Sequence, residues 1–188
     1  MTMKTFGWGA ILMVLLASAG MAAAKESELT VVESVELDRY LGVWYEISSY
    51  PNWFQRNCTA VTADYSLRDD GRIKVVNSCR KGSLDGKLKQ ATGRAKVVDT
   101  ETNAKLKVSF FGPFWGNYWI IDLDLEYQWA VVGEPKRKYL WVLSRTRTLD
   151  DDTYQQILAR LTQKGYDPDG LQRTVQPGPQ AESREVSQ

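Results

Sequence analysis

Three features predict an antiparallel all-β fold, sandwich or barrel, with one helix at its C-terminal end. Short runs broken by turn residues extend from Gly42 to Arg145, apolar and polar residues alternate with a period of two inside them, and a single helical stretch follows.

The chain opens with Lys4, an uncharged apolar stretch from Phe6 to Ala19, and Gly20-Met21-Ala22-Ala23-Ala24 ahead of the charged Lys25-Glu26. Basic, apolar and small-residue segments in that order predict a secretory signal peptide, residues 1–24, cleaved after Ala24. The competing reading is an uncleaved anchor, for which the apolar length is marginal. No cysteine lies near the cleavage position, so lipid attachment there is not expected. Residues 25–176 are then one domain of ordinary size, and the polar, proline-bearing residues 177–188 a disordered tail.

Eight runs read as strands: Gly42 to Tyr50, Cys58 to Leu67, Arg72 to Arg80, Lys89 to Asp99, Ala104 to Phe111, Asn117 to Asp124, Tyr127 to Gly133 and Lys138 to Arg145. Ala63, Tyr65 and Leu67 are set against Thr62, Asp64 and Ser66, and Leu106, Val108 and Phe110 against Lys105, Lys107 and Ser109, so one face is apolar and the other wet. Arg68-Asp69-Asp70-Gly71, Thr100-Glu101-Thr102-Asn103 and Gly133-Glu134-Pro135-Lys136 carry hairpin turn chemistry. Tyr139, Trp141, Leu143 and Arg145 share a face of the last run, so an inward aromatic ladder ends in a guanidinium. Asp150 then reads as an N-cap with Asp151 and Asp152 in the first turn. Tyr154, Ile157, Leu158 and Leu161 recur at helical spacing before Gly165, which predicts an amphipathic helix over residues 151–164. Its apolar stripe needs a cover, and the outside of the sheet is the candidate. A short strand is expected near Leu171 to Val175.

Composition narrows the function. Lys and Arg number 24 against 23 Asp and Glu, and loss of the signal peptide removes only Lys4, leaving the side chains balanced. No excess of cations marks a nucleic-acid partner. The chain contains no histidine, which removes Ser-His and Cys-His nucleophile pairs and His-ligated zinc or haem. No phosphate-binding loop, dinucleotide fingerprint or nucleophile elbow is present. Neither a catalytic residue, a metal nor a cofactor is expected. Cys58 and Cys79, an even count in an exported chain, are expected to form a disulfide, the alternative being two free buried thiols.

Gly42-x-Trp44-Tyr45 near the mature N-terminus, the eight strands, Arg145 ending the last one and the following helix together resemble the lipocalin family, over roughly Val35 to Val175. The stretches "RYLGVWYEI", "TADYSLRDDGRIKVVNSCRKG", "KVSFFGPFWGNYWII" and "YLWVLSRT" are closest to bacterial lipocalins and their apolipoprotein D-like relatives. The family's Thr-Asp-Tyr motif stands here as Leu123-Asp124-Leu125. The resemblance implies an eight-stranded antiparallel up-and-down β-barrel, closed at one end, with the helix packed outside. By the same resemblance, Trp44 is expected to plug the closed end and pack against Arg145, next to Gly42. It also implies a periplasmic protein in reach of the outer membrane.

Eight strands can enclose one small ligand. Strand parity points Ala63, Tyr65, Val75, Ala95, Val108, Phe110, Trp119, Tyr139 and Trp141 into the lumen, and small Ala91, Gly93 and Ala95 along one strand suggest retained space; a filled core is the alternative. Loops after alternate strands share the mouth, which gathers Trp53, Phe54, Phe114 and Trp115 with Lys136, Arg137 and Lys138. That rim reads either as a lipid-collecting edge touching a membrane surface or as an inward-folded lid beside a solvated basic turn. The expected partner is a small hydrophobic ligand, a fatty acid or lysophospholipid, with the oligomeric state open. The rival functions are a lipid-modifying enzyme, which would use Cys58 or Cys79 as a free nucleophile, and an interaction protein with a filled barrel.

Overall fold

The computed structural model describes residues 28–178; the expected signal peptide and the tail beyond Gly178 lie outside them. A short helix α1 (Leu37–Tyr40) precedes β1 (Gly42–Ser49), β2 (Cys58–Leu67), β3 (Ile73–Lys81), β4 (Leu88–Val97), β5 (Lys105–Ser109), β6 (Gly116–Leu123), β7 (Trp129–Gly133) and β8 (Leu140–Ser144). Helix α2 (Asp151–Gln163) and the two-residue β9 (Gln172–Arg173) follow. Each expected strand is present, and α2 begins as predicted, with the Asp150 carboxylate accepting from the Thr153 N–H at 2.9 Å. Four-residue α1 carries no amphipathic period and was not legible.

Each strand pairs antiparallel with the next, and β1 closes the barrel by pairing with both β8 and β2. The β1–β2 ladder covers only Gly42–Tyr45. Beyond it the two strands part, and the C-terminal segment enters the fork. There β9 pairs with Ser48 and Ser49, Ala60 N–H donates to the Val175 carbonyl at 2.8 Å, and the Gln176 amide donates to the carbonyls of Glu46 and Val61, each at 2.9 Å.

Two apolar clusters result. Trp44, Tyr65, Val75, Ala95, Leu106, Ile120, Val132 and Leu143 fill the inside of the barrel. Ile47, Ile121, Val131, Leu140 and Val142 face outward and are covered by Tyr154, Ile157 and Leu161 of α2. The sheet is therefore apolar on both faces wherever the helix lies.

Cys58 and Cys79 are disulfide-bonded, with Cα atoms 5.5 Å apart. The β2–β3 turn is one residue longer than expected. Arg72 joins Arg68-Asp69-Asp70-Gly71 in the turn, so that Leu67 pairs with Ile73, and Gly71 takes a left-handed φ of 73°. A bulge between Thr59 and Thr62, with Ala60 at φ 47°, restores the register that brings the cysteines together. Closing this loop contributes about 3 kcal/mol in the chain-entropy account.

Candidate ligand-binding site

The floor of the barrel is built on Trp44. Its side chain is fully buried, its indole N–H donates to the Tyr40 carbonyl at 2.8 Å, and the Arg145 guanidinium lies 3.8 Å over its ring. Arg145 also donates to the carbonyls of Val43 at 2.9 Å and Arg39 at 2.6 Å, tying α1 and β1 to the end of β8. Gly42 stands at φ 88°, a conformation that disfavours other residues, next to that guanidinium. The expected packing of Gly42, Trp44 and Arg145 is therefore present.

Above the floor, Ala63, Tyr65, Val75, Ala95, Val108, Phe110 and Trp141 all belong to the inner cluster. Trp119 does not. It faces outward into the cluster under α2, with the Lys105 ammonium 4.7 Å over its ring, while its neighbours Tyr118 and Ile120 point inward. Alternation could not settle this parity, since the helix makes both faces of β6 apolar. Phe110 takes the space beside Gly93, where an added Cβ would meet its ring at 2.8 Å.

Two polar features inside the barrel were not read from the sequence. Tyr118 shares hydrogen bonds with Tyr40 at 2.8 Å and Tyr65 at 2.9 Å. Burial keeps all three hydroxyls protonated, pushing Tyr65 up to about 12. Three O–H groups joined by two bonds leave one donor uncommitted. Asn77 pairs with Ala63 on one side and Ala91 on the other, so it shares their inward face, and its amide oxygen is buried with no partner.

At the mouth, the loop after β1 divides its aromatics. A 3₁₀ turn (Trp53–Gln55), capped by Asn52, points Phe54 inward to within 6.0 Å of Tyr139 and 6.5 Å of Trp141, which stack on each other at 5.8 Å. Trp53 stays outside, 70 % exposed. Gln55 locks the turn by accepting from the Trp141 indole at 3.1 Å and donating to Glu46 at 2.6 Å. Phe54 thus lies against the Tyr139–Trp141 stack, while Trp53 stands out from the loop.

The other rim residues also divide. Lys136 and Lys138 are exposed, their backbone N–H groups held by the Glu134 carboxylate at 2.9 and 2.6 Å. Arg137 is no rim cation, because its guanidinium donates to the Lys164 carbonyl at 2.8 Å and caps the end of α2. Phe114 is 77 % exposed, and Phe111, missed in the sequence, 73 %. Trp115 folds down the outer wall beneath Arg94 and Lys96 rather than standing at the mouth.

Glu46 is buried in the wall and accepts from Ser49 at 3.0 Å, Thr174 at 2.6 Å and Gln55 at 2.6 Å. Among the described residues no cation pairs with it. Burial outweighs these hydrogen bonds and raises its pKa above the ordinary 4.5. An acid raised in the folded state stabilises the fold below the unfolded value, and that contribution disappears as pH climbs through the folded one. Glu46→Gln is therefore expected to unfold at higher urea than the parent above neutrality, with the advantage gone below pH 4.5. Parallel urea midpoints across that range would contradict the assignment.

An up-and-down barrel with a sealed floor, an apolar interior and an aromatic mouth defines a barrel of the small-ligand-binding class. Both cysteines are committed to the disulfide, which leaves the enzyme reading without its thiol nucleophile. The chain belongs to the lipocalin family, whose lipocalin-like domain profile matches residues 35–176. It is 46 % identical over 150 residues to the outer membrane lipoprotein Blc of Escherichia coli K12, covering 80 % of this chain and 84 % of that protein. It is 37 % identical over 160 residues to temperature-induced lipocalin-1 of Arabidopsis thaliana, covering 81 % and 85 %. Insecticyanin from the tobacco hornworm Manduca sexta shares the fold with a TM-score of 0.63 at 19 % identity, over 79 % of this chain and 84 % of that one.

Proposed function

We propose that this protein is a periplasmic carrier that holds a fatty acid or lysophospholipid in its barrel and stores it or moves it between membranes, at the outer membrane in particular. The observation that carries this reading is the apolar inner face of the barrel, where Val75, Ala95, Val108 and Phe110 share one cluster, with the Phe54 turn against the Tyr139–Trp141 stack at the mouth. An acyl chain gains about 0.8 kcal/mol per methylene buried there. Ten methylenes give roughly 8 kcal/mol before association costs, enough for micromolar binding. The unpartnered Asn77 oxygen and the spare tyrosine hydroxyl add polar contacts within reach of the chain's path. The relatives named outer membrane lipoproteins support the location, although here residues 1–57 contain no cysteine to lipidate.

Mass spectrometry of the organic extract of natively purified protein, with acyl-lipid titration followed by tryptophan fluorescence, tests the reading. A co-purifying acyl lipid and a saturable change are expected, since Trp141 borders the lumen. Absence of saturable binding by any acyl lipid would end it.

A further inference from the structure

The outer surface of the barrel is electrically one-sided. Strands β3, β4 and β5 contain no aspartate or glutamate. Their outward positions, alternating with the inward Ile73, Val75, Ala95, Leu106 and Val108, carry Lys74, Arg80, Arg94, Lys96, Lys105 and Lys107. None of the six forms an ion pair among the described residues. At the closed-end border, Asp99 feels the charge of Lys105. The cations are also stacked on one another, with Lys74 directly opposite Arg94 and Lys96 directly opposite Lys107 across the ladders. Like charges facing each other across strands oppose folding, so this arrangement costs stability and the fold itself does not need it.

The same face ends in apolar residues. The β5–β6 loop lays Trp115 down the wall, 4.8 Å from the Lys96 ammonium and 5.4 Å from the Arg94 guanidinium, and leaves Phe111 and Phe114 projecting beside the cations. A cationic stripe bordered by two exposed phenylalanines matches a surface of phosphate headgroups over acyl chains. A nucleic acid would use the charges and leave the phenylalanines in water.

We infer that the barrel docks on anionic phospholipid bilayers side-on, through the outer face of β3–β5, with Phe111 and Phe114 inserted as the apolar foot. The mouth then opens along the membrane plane, and Trp53 on the opposite lip takes no part. This docking gives the proposed carrier its source of lipid, and in purpose it rests on that reading, but its test does not.

Flotation of the mature protein with vesicles of phosphatidylglycerol and phosphatidylcholine, against phosphatidylcholine alone, reads the interaction directly. Binding is expected only to the anionic vesicles and to weaken as salt shortens the screening length. Each neutralised cation should lower partitioning roughly five-fold, the equivalent of about 1 kcal/mol. The triple variant Lys74→Gln, Lys96→Gln, Lys107→Gln should therefore lose about a hundred-fold and, freed of its like-charge pairs, melt no lower than the parent. Phe111→Ser with Phe114→Ser should also release the protein, and Trp53→Ser should not. Equal binding to both vesicle types, a triple variant that floats like the parent, or loss on Trp53→Ser alone would overturn the proposal. So would tight binding to a single-stranded oligonucleotide without flotation. Titration with palmitate and with a lysophosphatidylglycerol in vesicle-free buffer separates the two readings: docking without binding of either lipid removes the carrier function and leaves the surface, and the reverse removes the surface alone.

Discussion

Trp44→Ala is expected to destabilise the protein by about 3–5 kcal/mol, the range for truncating a fully buried tryptophan, and to lower its melting temperature by on the order of 10 °C or more. The side chain has no exposed surface, and its loss removes the indole bond to Tyr40, the 5.0 Å ring contact with the same residue and the face on which Arg145 rests. Arg145 would keep its carbonyl partners Val43 and Arg39, so the floor should loosen around a guanidinium that stays in place. Arg145→Lys makes the complementary test. A lysine cannot bridge two carbonyls with a planar fork, and it should cost less than Trp44→Ala while exposing the lumen floor to solvent quenchers. Urea unfolding of both variants settles the matter; a loss below about 1 kcal/mol for Trp44→Ala would show that the floor does not depend on it.

Asn77→Val is expected to move stability and binding in opposite directions. The amide oxygen is buried without a partner in the protein, at a cost of about 1–3 kcal/mol. A smaller, β-branched apolar side chain suited to a strand removes that cost, so the variant should unfold at higher urea. A ligand that donates a hydrogen bond to this oxygen should meanwhile lose roughly ten-fold in affinity, the equivalent of about 1.4 kcal/mol. A lysophosphatidylglycerol has glycerol hydroxyls to donate, whereas palmitate as its carboxylate can only accept. Loss of the lysolipid with palmitate unchanged places the glycerol at Asn77; equal affinity of parent and variant for both lipids would remove Asn77 from the site. Val108→Gln provides the converse control, adding an unpaired amide to the apolar wall, and should weaken both lipids together.

What was legible follows from which faces were wet. Strands β2 and β5 expose one side to solvent, so Ala63, Tyr65 and Val108 could be assigned inward by alternation alone. In β6 the outer face is buried by α2, the strand reads as apolar on both sides, and Trp119 was placed on the wrong one. Helix α1 was invisible because its four residues are held by the Trp44 and Arg145 contacts rather than by a period of their own. Glu46 and Asn77 occupy inward positions, yet polar side chains on apolar strands draw no attention until the hydrogen bonds they make, or fail to make, are seen. Arg137 looked like a free rim cation because the end of α2, distant in sequence, is what it caps.

The wedge that residues 172–176 drive between β1 and β2 sets an order of events during synthesis. A chain growing from its N-terminus presents β1, β2 and the disulfide-bearing hairpin early, and these can pair as soon as they emerge. The fork above Tyr45 has no partner for its edges until Thr174 and Gln176 arrive, more than a hundred residues later in the chain. Sealing of the upper β1–β2 seam is consequently one of the last acts of folding, after the β1–β8 ladder and the lower β1–β2 ladder have closed the rest of the barrel. A nascent chain that still lacks residues 172–176 keeps that upper seam open, and their arrival is the moment at which the barrel wall is sealed from the side.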